Sequence, residues 1–144
     1  MTIRVAGLWE LGWNVPTKEI EQWEYMLKDY GVEKLCMAPV TGMQKPFIAE
    51  STSMEPILTQ AIADGLTIVF LEEKATTVLD HNTVHPENVL YVFGKASSSP
   101  FVSFFDSGRG DLAWKIPSKL VNPSGLWPHQ ACAIVLHERM KQWP

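Results

Sequence analysis

The sequence contains little cysteine and lacks the short motifs that mark several common enzyme classes. Its two cysteines, Cys36 and Cys132, both lie inside apolar runs, which favours buried, reduced thiols over a disulfide framework. There is no Cys-x-x-Cys, no Walker loop and no Gly-x-Ser-x-Gly. These absences exclude the thioredoxin, P-loop hydrolase and α/β-hydrolase interpretations. No apolar run approaches the roughly 20 residues that a membrane-spanning helix needs.

Length and composition predict one globular domain over residues 1–144. The chain is 46% hydrophobic and 19% charged, which is typical of a folded domain rather than a disordered chain. The amino terminus enters an apolar run without the shape of a signal peptide, so we expect a cytoplasmic protein. The net charge of −4 argues against binding RNA by charge alone. A dimer would still gather scattered basic residues around one cleft: Lys95, Arg109, Lys115 and Lys119.

The hydrophobic pattern alternates between strands and helices and so predicts an α/β fold with a mainly parallel sheet flanked by helices. Strands are predicted at 3–9, 32–37, 66–71, 89–93 and 113–116. Helices are predicted at 17–30, 54–63, 126–140 and, as a short turn, 75–79. The segments 41–53 and 80–88 are predicted loops, and 101–105 is either a strand or a lid over a pocket.

The last third of the chain is the place to expect a small-molecule site. The strand at 89–93 runs into Gly94, and the strand at 113–116 ends at Pro117. In open α/β sheets, ligands bind outside the carboxyl ends of strands. A glycine lacks Cβ and lets a ligand approach the backbone, although a plain turn from strand to loop would also use one.

The order of these pieces resembles the SPOUT class of RNA methyltransferases, and most closely its SpoU/TrmH branch. The resemblance rests on Val-Phe-Gly at 92–94, Ile-Pro at 116–117 and Ile-Val-Leu-His-Glu at 134–138. It implies a carboxyl-terminal trefoil knot, a homodimer and a bound S-adenosylmethionine. It also implies methylation of a ribose 2′-OH, on tRNA or another structured RNA.

The resemblance also implies which residues hold the cofactor. In the family, backbone groups and apolar walls at three strand ends and at the mouth of the last helix do so. Carried over by position, these residues are Leu71, Glu72, Phe93, Gly94, Lys95, Ile116, Pro117, Ser118 and Leu126.

The sequence departs from the family in the motifs that carry catalysis. The Ser-x-Asn loop before the last helix is absent, and Trp127 stands opposite the expected asparagine. The position aligned with the family's arginine is Tyr25, and no arginine lies between Glu10 and Gly108. These departures favour an alternative, a catalytically inactive module that binds S-adenosylmethionine or a partner without methyl transfer. A third interpretation is an unrelated α/β domain with a structural role.

The catalytic residue is left open by the sequence. His129 has a suitable intrinsic pKa for a base, and Arg109 could grip a phosphate. Glu72 and Glu73 would bind a ribose, repel the wrong substrate, or simply be solvated charges.

Two further features of the sequence have more than one interpretation. His81 and His85 resemble metal ligands, but Asn82 and Pro86 indicate a loop, so no metal is expected. The aromatic and apolar residues of the first and last helices would suit either a dimer interface or the edge of the core. These residues are Trp23, Met140 and Trp143.

Overall fold

A computed structural model describes most of the chain as one parallel sheet covered by helices. The described residues are 1–8, 17–38, 46–72, 75–93, 110–119 and 128–144. Within these ranges seven strands form the sheet, and every neighbouring pair is parallel. The predicted α/β fold is therefore confirmed. In chain order the strands are β1 (Ile3–Leu8), β2 (Lys34–Ala38), β3 (Ile48–Glu50), β4 (Thr67–Leu71), β5 (Thr77–Val78), β6 (Val89–Phe93) and β7 (Leu112–Lys115).

The strands are arranged in the order β3-β2-β1-β6-β4-β7-β5. Parallel neighbours require crossover connections, and in the described part of the chain one helix follows the first strand and another follows the third. The described helices are α1 (Thr17–Asp29), α2 (Met54–Ala63) and α3 (Pro128–Gln142).

A glycine with positive φ follows each of the first two helices. Gly31 after α1 has φ 74°, and Gly65 after α2 has φ 76°. The Val32 N–H donates to the Leu27 carbonyl at 3.0 Å, and Leu66 repeats this pattern after α2. This Schellman arrangement needs a left-handed residue, which glycine provides without a Cβ penalty. Each turn leads within a few residues into the next long strand, so the two glycines set where β2 and β4 begin.

The sheet separates two apolar cores. On one face, α1 and α3 cover a core that contains Trp23, Val135 and Tyr91. On the other face, α2 covers a second core that contains Leu58 and Leu90. Since both faces of the central strands are buried, β4 and β6 have continuous hydrophobic sequences rather than an alternating pattern.

Two short strands differ from the sequence prediction. The segment 41–53 was expected to be a loop, but its residues 48–50 form β3, in which Ile48 pairs with Leu35 of β2. The segment 75–79 was expected to be a short helix, but Thr77 and Val78 form β5 and pair with β7. Strands of three and two residues are too short for a periodic signal, and their pairing with a neighbour decides their conformation.

Further predictions from the sequence can be compared with the structure. Helix α3 begins at Pro128, where a proline is well suited because the first N–H groups of a helix have no intrahelical partner. Cys36 and Cys132 are buried free thiols, as predicted. The alternative strand or lid at 101–105 lies outside the described residues. The predicted knot depends on the connections 94–109 and 120–127, which also lie outside them, so the knot stays a prediction.

The aromatic residues of the first and last helices take different places. Trp23 is 0% exposed and belongs to the core between α1 and the sheet. It is therefore unavailable for the dimer interface that the sequence analysis considered. Trp143 is half-buried and donates its Nε1–H to the His85 carbonyl at 2.9 Å. Met140 is exposed on α3 and remains compatible with an interface.

Candidate functional site at the carboxyl edge of the sheet

The carboxyl ends of three adjacent strands lie side by side. Strand β4 stands between β6 and β7, and Phe70 of β4 pairs with Val92 on one side and Ala113 on the other. Because the strands are parallel and in this register, all three end at the same level and on the same side of the sheet. We call this part of the sheet the carboxyl edge and define it by Leu71, Glu72, Phe93 and Ile116.

Most of the predicted cofactor residues fall at the carboxyl edge or directly after it. Two strands end at predicted residues, and the other described residues follow directly in sequence: Leu71, Glu72, Phe93, Ile116, Pro117 and Ser118. The remaining predicted residues, Gly94, Lys95 and Leu126, lie outside the described residues. The ends of β4, β6 and β7, which are separated in the sequence, thus converge in space, and residues of the Val-Phe-Gly and Ile-Pro motifs stand at two of them.

The carboxyl edge combines an apolar wall with an exposed rim. Leu71 and Phe93 are buried, with Phe93 only 1% exposed. Ile116 is half-buried, and Pro117 and Ser118 are exposed. Binding sites for small organic ligands are commonly built this way, with apolar walls and a few polar groups that fix orientation.

Glu72 places a carboxyl group at this edge. Its backbone N–H donates to the Trp114 carbonyl at 2.9 Å, so the residue continues the pairing of β4 with β7. The residue is 5% exposed, so it is not the solvated surface charge that the sequence analysis considered. Burial of a carboxylate costs free energy unless polar groups compensate it, and such groups cluster at functional sites.

The arginines in the described part of the chain lie away from the carboxyl edge. Arg4, near the amino end of β1, pairs with two carboxylates at 3.1 and 2.6 Å. Arg139 is buried on α3. Tyr25, at the position aligned with the family's arginine, is 69% exposed on α1. The third arginine of the sequence, Arg109, lies outside the described residues.

His129, the other residue considered for catalysis, packs against the core of α1. It lies in the first turn of α3, and its ring centroid is 6.0 Å from that of Trp23. Its role as a base stays a prediction.

The histidines considered as metal ligands lie in different environments. His81 is exposed, whereas His85 is 2% exposed and its Nδ1 lies 2.7 Å from the Tyr91 hydroxyl. Within the described ranges, no group of three or more His, Cys, Asp or Glu side chains is placed to hold a metal ion.

A buried polar cluster that the sequence did not predict joins α3 to the sheet. We define it as His85, Tyr91, Trp114, Arg139 and Trp143. Arg139 donates to the Tyr91 hydroxyl at 3.3 Å, and the His85 ring meets the Trp114 ring edge-on at 5.0 Å. The sequence signals were a tyrosine inside the apolar strand Val-Leu-Tyr-Val-Phe and an arginine on an apolar helix. Buried polar groups of this kind are almost always hydrogen-bonded, so they predict a partner but not its identity.

His85 and Tyr91, two titratable groups of the cluster, are neutral near pH 7. Burial, assisted by the positive charge of Arg139, lowers the pKa of His85 to about 4. Burial raises the pKa of Tyr91 to about 12, although Arg139 acts in the opposite direction. Since Arg139 donates to the Tyr91 oxygen, the tyrosine hydroxyl is free to donate to His85 Nδ1, which assigns the imidazole proton to Nε2.

No protein-family model matches the chain, and no curated protein matches it. In the described part of the chain, no helix has the length and apolar character required to traverse a bilayer.

Solved structures match nearly the whole chain at low sequence identity. The TrmH/SpoU tRNA modifying enzyme of A. aeolicus has a TM-score of 0.71 at 15% identity, covering 98% of this chain and 74% of that one. The AdoMet-bound rRNA methyltransferase of Sinorhizobium meliloti has a TM-score of 0.70 at 15% identity, covering 99% and 57%.

A third match comes from work on the 2-OH methylation of C/U34 on tRNA. It has a TM-score of 0.56 at 12% identity and covers 98% of this chain and 95% of that one. The resemblance found in the sequence motifs is thus confirmed at the level of the fold. This chain has the fold of the TrmH/SpoU RNA-modifying enzymes.

Proposed function

We propose that this protein is an S-adenosylmethionine-dependent RNA methyltransferase, of the ribose 2′-O type, that acts on tRNA or another structured RNA. The observation that carries the proposal is the carboxyl edge, where the ends of β4, β6 and β7 lie side by side and residues of the Val-Phe-Gly and Ile-Pro motifs stand at two of them. The shared fold with proteins described as RNA methyltransferases supports it.

The residues at the carboxyl edge suit S-adenosylmethionine. Leu71 and Phe93 make the base of the carboxyl edge apolar, and the chain after Ile116 offers main-chain groups at the rim. Glu72 directly follows β4, at a position where the resemblance places a residue that holds the cofactor. When bound, the cofactor supplies an electrophilic methyl group on its sulfonium. The protein must hold the ribose hydroxyl in line with that methyl group and let its proton leave.

RNA is the proposed substrate, and we propose that a cytoplasmic homodimer binds it. Lys119 is exposed and Lys115 is half-buried; Lys115 directly precedes Ile116, and Lys119 follows Ile116 by three residues. Their charge would attract phosphates even though the net charge of the chain is −4. A second copy would double the number of such cations around the cleft.

Calorimetric titration with S-adenosylmethionine and, separately, S-adenosylhomocysteine tests the cofactor site. We expect both to bind the wild-type protein. The Gly94→Trp variant is expected to lose at least about tenfold in affinity, because a bulky ring after Phe93 would occupy the site.

The matched control is Ala63→Trp, which adds the same ring at an exposed position on α2. It is expected to bind like the wild type. If neither ligand gave binding heat or a thermal shift, the proposal would be wrong.

The alternative is a module that binds S-adenosylmethionine or a partner without methyl transfer. Two observations favour it: Arg4 and Arg139 are engaged elsewhere, and an exposed tyrosine takes the position of the family's arginine. Arg109 is the remaining arginine in the sequence.

Arg109→Ala distinguishes the enzyme from the module. If the protein transfers methyl groups, we expect this variant to lower the transfer rate to a structured RNA about 100-fold with little change in cofactor affinity. Transfer of a radioactive methyl group from S-adenosylmethionine measures the rate. Arg4→Gln, at the opposite end of the sheet, is the control. A wild-type protein that binds the cofactor but methylates no RNA would favour the module.

A further inference from the structure

Side chains at the end of α3 and directly after it form hydrogen bonds with the backbone of the residues just before β6. Arg139 Nη2 donates to the Glu87 carbonyl at 2.9 Å, and the Trp143 Nε1–H donates to the His85 carbonyl at 2.9 Å. The side-chain oxygen of Gln142 accepts the His85 N–H at 2.6 Å. Together with the Pro86 carbonyl, which accepts from Arg139 Nη1, three carbonyls and one N–H of the chain before β6 are satisfied by α3 and by Trp143 directly after it.

The same cluster contacts the sheet close to the carboxyl edge, at Tyr91 of β6 and Trp114 of β7. The His85 ring lies 2.7 Å from the Tyr91 hydroxyl and meets the Trp114 ring edge-on. Trp114 pairs with Leu71, and its carbonyl accepts the Glu72 N–H. It also lies two residues before Ile116, and Tyr91 lies two residues before Phe93. Each residue that defines the carboxyl edge therefore either follows Tyr91 or Trp114 by two positions or pairs with the backbone of Trp114.

Stability alone is a weak reason for this cluster. Apolar residues of similar volume often stabilise a core as well as a buried charged group does, because they avoid its desolvation. Within the described residues, Nε2 of His85 and Nε of Arg139 are buried without a hydrogen-bond partner, so part of that cost is not recovered. Directional hydrogen bonds, in contrast, allow one arrangement of β6, β7 and α3 and disfavour shifted ones.

We propose that the buried polar cluster positions the carboxyl edge for the cofactor, with His85 and Arg139 acting as positioning residues through Tyr91 and Trp114. This inference rests on the proposed function for the identity of the ligand. The positioning of the edge itself is a property of the protein without ligand. Neither residue needs to touch the cofactor.

Tyr91→Phe is the sharpest test, because it removes the oxygen shared by His85 and Arg139 and keeps the ring. We expect the affinity for S-adenosylmethionine, measured by calorimetry at a temperature where the variant is folded, to fall about tenfold. The matched control is Arg4→Leu, which breaks a polar contact between elements at the amino end of the sheet. Arg4→Leu is expected to lower stability and to bind the cofactor like the wild type.

A pair of substitutions at His85 separates hydrogen bonding from volume. His85→Asn keeps an amide close to the position of Nδ1, whereas His85→Leu keeps only apolar volume. We expect His85→Asn to retain more cofactor affinity than His85→Leu. Equal affinities in the two variants would contradict a role for the hydrogen bond to Tyr91.

Hydrogen exchange of the Glu72 amide provides a readout that needs no cofactor. This N–H donates to the Trp114 carbonyl, so its exchange rate reports whether β7 stays on β4 at the carboxyl edge. We expect exchange about tenfold faster in Tyr91→Phe than in Arg4→Leu at matched stability. Equal exchange in the two variants would overturn the inference. A wild-type protein that does not bind S-adenosylmethionine would instead overturn the proposed function, and the exchange rates would still decide whether the cluster positions the edge.

Discussion

Trp23→Ala is expected to lower the free energy of unfolding by about 3–5 kcal/mol, the typical cost of emptying a buried tryptophan site. Trp23 is 0% exposed and lies in the core that α1 and α3 share with the sheet. The ring of His129 on α3 lies 6.0 Å away, so the cavity would open between two helices that cannot close it without moving. Urea unfolding followed by circular dichroism measures the change.

Tyr25→Ala is the control on the same helix. Tyr25 is exposed, and truncation of an exposed side chain usually changes stability by about 0.5 kcal/mol or less. The comparison also tests the interface interpretation of Trp23. If Trp23→Ala left stability unchanged and altered only self-association, the placement of Trp23 in the core would be wrong.

Acidification is expected to destabilise the protein through His85. The pKa of His85 is about 4 in the folded protein and about 6.5 in the unfolded chain. Between these values the unfolded chain binds the proton and the folded protein resists it. The stability that neutral His85 contributes is therefore complete above pH 6.5 or so and is lost as the pH falls toward 4. The loss is at most on the order of 3 kcal/mol.

Burial sets the direction of the shift in the pKa of His85, and the charged groups that face His85 modify it. Arg139 on α3 adds to the lowering by burial, and Glu138 on the same helix opposes it. Tyr91 on β6 has a pKa near 12 and stays neutral throughout this range.

Unfolding free energies measured from pH 4.5 to 7 for the wild type and His85→Asn isolate the effect. In the difference between the two curves, the contribution of the carboxylates that titrate in both proteins cancels. We expect this difference to shrink as the pH falls, because the variant has no imidazole to protonate. A variant at an exposed histidine of α3, His137→Gln, should keep the slope of the wild type. If the curves of the wild type and His85→Asn were parallel, the ionisation of His85 would not contribute.

Most of the fold could be predicted from local sequence because its elements carry strong local signals. Helix α2 and strand β6 have the predicted bounds, and α1 differs from its prediction by one residue at its end. In these segments the apolar periodicity, the glycine after the helix and the polar flanks all indicate the same element. The signals fail for β3 and β5, which are too short to show a period and owe their conformation to a neighbouring strand.

The candidate site could be predicted in position but not in chemistry. The ends of β4, β6 and β7 could be located because each strand stops at a residue that changes the backbone or at a polar residue. The catalytic residue could not be predicted, because the family's arginine is missing and its replacement depends on which loop reaches the edge.

The sequence by itself determined the α/β class, the parallel sheet and the segments that would bear a site, because these follow from hydrophobic period and turn residues along the chain. Only the tertiary structure decided that β4 lies between β6 and β7 and that Glu72 is buried. It also decided that His85, far from Arg139 in the chain, shares a hydroxyl with it. Strand order and burial depend on contacts between distant segments, and the residues of one segment do not specify which other segment will cover them.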